Sequence, residues 1–196
     1  MKILNENLQT ADDAVPQNTT SDIAVGSSTA RSAGFFQRIW LLLLVAFVAV
    51  IVDQITKRLV ETRIALGQSV DIAAALSPYL SFTHTKNPGA AFSMLQEGGA
   101  IFFVVGAIVT LLILYYAPRL PLSDWLSRLA LGLQLGGAIG NLVDRTRIGV
   151  VTDFIHFQIP QWNFDWPVFN VADSCIVMGV IILIVSSLLR GEGKAD

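Results

Sequence analysis

The chain has 196 residues, 53% of them hydrophobic and only 14% charged, with a formal net charge of −2. A water-soluble domain carries about 25% charged residues, so this composition excludes one, and a mean hydropathy of +0.60 points to a polytopic membrane protein. The charge balance also excludes the concentrated basic patch that nucleic acid requires. A lone cysteine, Cys175, excludes an intrachain disulfide framework and a cysteine zinc cluster. Two histidines, His84 and His156, are too few for a histidine-rich metal centre, while a mixed histidine and aspartate site stays open on counting alone. The length fits one domain.

Residues 1–34 are polar, with no apolar stripe at helical spacing. Such a segment cannot bury enough surface to offset chain entropy, and a disordered tail is expected there. No basic stretch leading into an apolar run opens the chain, so no signal peptide is expected. The first apolar run, residues 39–52, predicts a membrane span over 37–56, close to the roughly 20 residues that a bilayer core requires. Asp53, Lys57 and Arg58 mark its far end.

Residues 59–99 form a mixed connection punctuated by Gly67, Pro78, Pro88, Gly98 and Gly99. Partial alternation of apolar and polar residues over 69–72 and 79–85 predicts short strands, hence a small β element on the membrane surface. A second span is predicted over 100–117, stopped by Pro118 and Pro121. A third follows over 125–143, where Gly132, Gly136 and Gly140 repeat at the spacing that lets helices approach closely in lipid. A fourth is predicted over 171–189, with Arg190 and Lys194 behind it. The expected fold is all-α and polytopic, with four transmembrane helices in residues 35–190, a small extramembrane β element and a short tail over 191–196. Both termini then share one side. Basic residues divide six against six between the two sides, so their distribution does not orient the chain.

The chemistry concentrates in residues 136–174, which hold Asp144, Asp153, Asp165 and Asp173 together with Asn141, Arg145 and Asn170. Carboxylates beside membrane spans are costly unless paired or solvated, which makes them functional candidates. Asn170 and Asp173 share a helix face at i, i+3. That spacing fits a helix start, with Asn170 as N-cap and Asp173 meeting the helix dipole. It does not exclude a catalytic role, since a capping position fixes a side chain. Asp153, in GVVTDF, sits in a short extended segment that returns to the membrane edge, and it also reads as a loop aspartate in solvent. Facing carboxylates about 3 Å apart share one proton. The ionised member deprotonates water, and the protonated member polarises a carbonyl and then protonates the leaving amine. Asp153 with Asp173 is the preferred pair, and Asp144 is the rival to Asp153.

Asn141, Asp144 and Arg145 form one polar helix face, where Asp144 fits a supporting ion pair. Asp53 and Lys57 read as an intrahelical ion pair at i, i+4. Asn87 reads as a turn residue before Pro88. His84 and His156 read as exposed loop residues, and Cys175 as a small apolar residue. The aromatic run Phe154, Phe157, Trp162, Phe164, Trp166 and Phe169 fits a membrane-interface belt or a packed loop. An ion-coupled transporter would need a charge near the middle of a span, and the second and fourth spans have none. A cysteine peptidase would need Cys175 and His156 together.

DQITK (53–57), NPGAAFS (87–93), GGAIGNLVDR (136–145), GVVTDF (149–154) and FNVADS (169–174), in this order, resemble the lipoprotein signal peptidases, also called signal peptidase II. The resemblance covers residues 36–189 and is specific because five motifs fall in sequence. It implies a bacterial inner-membrane aspartyl endopeptidase that removes the signal peptide from prolipoproteins, just before a cysteine that already carries diacylglycerol. It implies an active site near the periplasmic face and cytoplasmic termini. It puts the catalytic aspartates on Asp153 and Asp173, and further polar site residues on Asp53, Lys57, Asn87, Asn141, Asp144, Arg145 and Asn170. It implies no metal or other cofactor, and a β cradle after the first span. The expected partners are diacylglyceryl-prolipoproteins and membrane lipids, with the enzyme acting as a monomer. Thr152 stands where a valine is common, Lys86 where an arginine is frequent, and the polar N-terminal tail is longer than usual.

Overall fold

The computed structural model describes residues 20–89 and 99–192. Parts of the expected tails and of the NPGAAFS motif therefore lie outside the described residues. Helix α1 spans Thr20–Arg63, strand β1 Ser69–Asp71 and strand β2 Leu80–Asn87. Helix α2 spans Gly99–Tyr116, helix α3 Trp125–Ile148, strand β3 Val151–Ile159, strand β4 Phe164–Asp165 and helix α4 Val171–Glu192. The chain divides into units of Met1–Gly34 and Phe35–Asp196, and the site lies wholly in the second. Helix α1 as bounded takes in residues 20–34 of the expected polar tail.

Among the described residues, three helical segments are long and apolar enough to cross a membrane: Phe36–Arg63, Ile101–Arg119 and Val171–Leu189. Helix α3 is not among them, and its packing gives the reason. It is the helix against which the others lie. A Cβ on Gly136 would come within 2.6 Å of the Ala49 Cβ and 2.8 Å of the Ala46 carbonyl of α1. A Cβ on Gly137 would run into the Ala172 carbonyl of α4. The expected small-residue face is therefore present, and it lets α1 and α4 approach α3 backbone to backbone. A helix covered by protein on several sides has no need of a lipid-facing apolar surface. Large side chains of the other three point outward instead, Phe47, Leu111 and Leu188 being about two-thirds exposed (65%, 66% and 66%). In a bilayer that outward apolar surface is the stable one.

Ile39, Leu42, Ala46, Ile113, Ala117 and Leu135 form a buried cluster that ties α1 and α2 to α3. Val60, Ile64 and Phe154 form another, which fastens the sheet to the end of α1. The sheet is antiparallel, in the order β1-β2-β3-β4. The expected strands after the first span are β1 and β2, but β2 also pairs with β3 from the far loop, with Thr85 opposite Asp153 and Asn87 opposite Val151. Long-range pairing thus merges two loops into one element. Gly149 makes the turn from α3 into β3 possible: it sits at φ 78°, and its N–H closes on the Arg145 carbonyl at 3.1 Å. A side chain there would be strained.

Candidate active site

The end of α1 supplies a sealed ionic cluster. Lys57 Nζ lies 2.9 Å from Asp53 Oδ2 and 3.0 Å from Asp144 Oδ2. It also donates to Asn141 Oδ1 at 3.0 Å, so each ammonium proton has an acceptor. All three charged side chains are fully buried (0%). The intrahelical pair of Asp53 and Lys57 is present, and Asp53 does more, since its Oδ1 accepts from Ala172 N at 2.9 Å and so satisfies the start of α4. Asp144 also accepts from Gln54 Nε2 at 3.1 Å and Thr152 N at 3.0 Å. Asp144 is thereby committed to the scaffold.

Asn170 and Asp173 form a reciprocal cap on α4. Asp173 N donates to Asn170 Oδ1 at 2.9 Å, and Asn170 N donates to Asp173 Oδ2 at 3.3 Å. The helix-start geometry therefore holds Asp173 in place and leaves its carboxyl at the mouth of a cavity. Asp153 reaches the same cavity from β3. Asn170 Nδ2 donates to Asp153 Oδ1 at 2.6 Å, and Asn87 Nδ2 donates to Asp153 Oδ2 at 2.9 Å. Asn141 Nδ2 donates to Asp173 Oδ1 at 2.7 Å. Each of the four carboxyl oxygens thus has an amide donor from Asn87, Asn141 or Asn170. Asn87 is also the turn residue expected, its Oδ1 accepting from Gly89 N at 3.0 Å. Burial, and then the neighbouring Asp173 carboxylate, push the pKa of Asp153 up to about 7.

The cavity has a volume of about 420 Å³. Its polar end holds Asp153, Asp173, Asn87 and Arg145, and its apolar walls come from Trp166 to Phe169 and from Val177 and Met178 of α4. Arg145 reaches Gly89 O and Asn141 O at 3.4 Å and sits 5.9 Å from the Phe102 ring centre. Among the described residues, no group of three or more His, Cys, Asp and Glu side chains is placed to hold a metal ion.

The histidines differ from expectation, because both sit on strands. His84 is buried (5% exposed), with Nδ1 donating to the Ile64 carbonyl at 2.8 Å. His156 lies between Thr83 Oγ1 at 3.1 Å and Asp165 Oδ1 at 2.7 Å. Cys175 is half-buried and absent from the cavity lining. Sequence reasoning missed Gln54, Glu61, Arg147 and Thr152. Glu61 Oε1 accepts from Arg147 at 2.6 Å and from Thr152 Oγ1 at 2.8 Å. A signal existed for Glu61, since it lies four residues after Lys57 on the same helix face.

Apolar helices that carry a buried polar cluster and a small sheet at one end define a helical membrane protein, and the fold matches solved membrane enzymes. One bacterial membrane enzyme, solved by the in meso method at 2.3 Å, superposes with a TM-score of 0.72 at 32% identity, covering 81% of this chain and 93% of that one. Another, solved at 1.9 Å, gives 0.67 at 33% identity, covering 76% and 94%. A protein named lipoprotein signal peptidase from Symbiobacterium thermophilum is 42% identical over 147 residues, covering 75% of this chain and 93% of the relative. One of the same name from Coxiella burnetii is 39% identical over 170 residues, covering 85% and 98%. The family model described as signal peptidase (SPase) II matches residues 45–189. The chain belongs to the signal peptidase II family, and it is therefore a protease with membrane-spanning helices.

Proposed function

We propose that this protein is an aspartic endopeptidase that removes the signal peptide from diacylglyceryl-modified prolipoproteins, cutting just before the lipidated cysteine. The observation that carries the mechanism is the pair Asp153 and Asp173, which open on one cavity with every carboxyl oxygen held by an amide donor. The names of the relatives support the substrate.

In this reading the pair shares one proton. Asp153, with its pKa near 7, carries it and hydrogen-bonds the scissile carbonyl. Asp173 takes a proton from the attacking water, whose oxygen bonds to the carbonyl carbon. The tetrahedral intermediate then collapses, the C–N bond breaks, and the amine leaves with a proton from the pair. The three asparagines orient the carboxyls without neutralising them. The apolar wall of Val177 and Met178 continues along α4, a path on which acyl chains or the signal helix stay in the bilayer. Asp53, Lys57 and Asp144 hold the frame, and Arg145 reaches a substrate carbonyl at the cavity rim.

We further propose four transmembrane helices, with α3 as the central span. The sheet and the polar cluster lie at the last turns of α1 and α3 and the first turns of α2 and α4, as an up-down bundle requires. The enzyme sits in the bacterial inner membrane as a monomer. Its termini are cytoplasmic and its active site is near the periplasmic face.

The test is cleavage of a synthetic diacylglyceryl-modified prolipoprotein by the purified protein, with and without chelator. Processing at the residue before the lipidated cysteine, insensitive to chelator and lost in Asp153→Asn and Asp173→Asn, is the expected result. Full activity in either variant, or strong loss with chelator, overturns the mechanism.

A further inference from the structure

Strand β3 enters the site by way of Thr152, the residue before Asp153. Thr152 is fully buried (0%), and its two polar donors go to opposite helices. Its N–H goes to Asp144 Oδ2 of α3 at 3.0 Å, and its hydroxyl goes to Glu61 Oε1 of α1 at 2.8 Å. Glu61 is itself held by a two-point bond from Arg147 of α3, with Nη1 to Oε2 at 3.0 Å and Nη2 to Oε1 at 2.6 Å. Arg58 approaches Glu61 at 3.6 Å, and Arg147 approaches Asp144 at 3.6 Å. A forked guanidinium on a carboxylate fixes direction as well as distance. Glu61 is therefore a fixed acceptor, with no free rotation for the hydroxyl to follow.

Along this segment Thr152 and Asp153 are both buried, and they point to different partners. Thr152 bonds to α1 and α3, and Asp153 bonds to Asn87 and Asn170. One peptide unit separates the anchor from the reacting carboxyl. We infer that Glu61, clamped by Arg147, anchors β3 through the Thr152 hydroxyl and thereby sets how far the Asp153 carboxyl enters the cavity. Glu61, Arg147 and Thr152 are positioning residues of the peptidase, acting through Asp153 and not on the substrate. The inference rests on the reading of Asp153 as catalytic. The anchor depends on the Thr152 hydroxyl, which a valine of the same shape would lack.

The experiment uses the full-length protein in detergent micelles with a diacylglyceryl-modified prolipoprotein, measuring kcat, KM and thermal unfolding together. Thr152→Val keeps the side-chain shape and removes only the donor. The expected result is a fall in kcat of about tenfold with KM little changed, alongside a lower Tm from the lost hydrogen bond to a charged acceptor. Thr152→Ser restores the hydroxyl and returns most of kcat. Glu61→Gln lowers kcat in the same way, and the Thr152→Val, Glu61→Gln double variant falls no further than the worse single one, because both act through one bond. Wild-type kcat in Thr152→Val, equal loss in Thr152→Ser, or additive losses in the double variant would overturn the inference. Asp153→Asn separates the two levels. If that variant is active, the catalytic reading has failed; if it is inactive while Thr152→Val is wild-type, only the anchor has failed.

Discussion

Two carboxylate clusters lie side by side in this protein, and they share Asn141. In one, Asp53 and Asp144 bracket Lys57, all fully buried (0%), and every oxygen is spent on the scaffold. In the other, Asp153 and Asp173 face a cavity and are held by amides, with no cation among the described residues in bonding contact. Asn141 accepts a hydrogen bond from Lys57 through Oδ1 and donates one to Asp173 through Nδ2, so the sealed cluster orients the open one. The difference teaches that a buried carboxylate becomes structural when a cation neutralises it. Where only neutral donors hold it, burial and then a neighbouring carboxylate push its pKa upward, as at Asp153, which suits it to the proton transfer proposed above.

The sharpest way to break the contrast is to neutralise the open pair. Asp153→Asn or Asp173→Asn is expected to lower turnover at least about 10³-fold in the prolipoprotein assay, because acid–base catalysis is lost while one of the two amide contacts to the side chain is kept. Substitution in the sealed cluster acts on folding instead. Lys57→Met strands Asp53 and Asp144 without a counter-charge, and the expected cost is about 3–5 kcal/mol, read as loss of folded protein in membranes.

The pH dependence separates the clusters further. In the unfolded chain Asp153 ionises near 3.8, and in the folded chain near 7, so between these values the folded state binds more protons. Stability from this group is therefore fully present below pH 3.8 and falls as pH rises towards 7, by at most about 4 kcal/mol. Asp153→Asn should raise Tm at pH 8 and leave it nearly unchanged near pH 3.5, as measured by thermal unfolding across pH. Asp144→Asn keeps some of its acceptors but weakens the Lys57 pair, with a partial loss of activity and about 1–3 kcal/mol of stability expected. The smallest effect is reserved for the outer pair of His156 and Asp165, the latter 70% exposed. Asp165→Asn should cost under about 1 kcal/mol and leave turnover unchanged, as thermal unfolding and the same assay would show.

Much of the site was legible because its signals are local. The capping pair Asn170 and Asp173 and the ion pair Asp53 and Lys57 follow from spacing on one helix, and each appears as a direct contact. The outward-facing apolar spans were legible for the same reason, since lipid contact demands a continuous run. Helix α3 is the instructive exception. Its glycines signalled close packing, yet its hydropathy stays low because its neighbours are helices and not lipid. The strand β3 and the burial of His84 were not legible, because strand pairing across two distant loops leaves no mark in either loop alone.

The order of the elements, the apolar character of the chain and the residues that bear charge were determined by the sequence itself, through helical periodicity and transfer to lipid. Which carboxylates meet was decided only in three dimensions. Pairing of β2 with β3 brings Asn87 to Asp153, and the glycine-lined approach of α4 to α3 brings Asp173 to Asn141. Long-range contacts of this kind depend on packing and register, which no single stretch encodes. The same packing gave Lys57 to Asp53 and Asp144, and set Asp153 and Asp173 on the lining of one cavity.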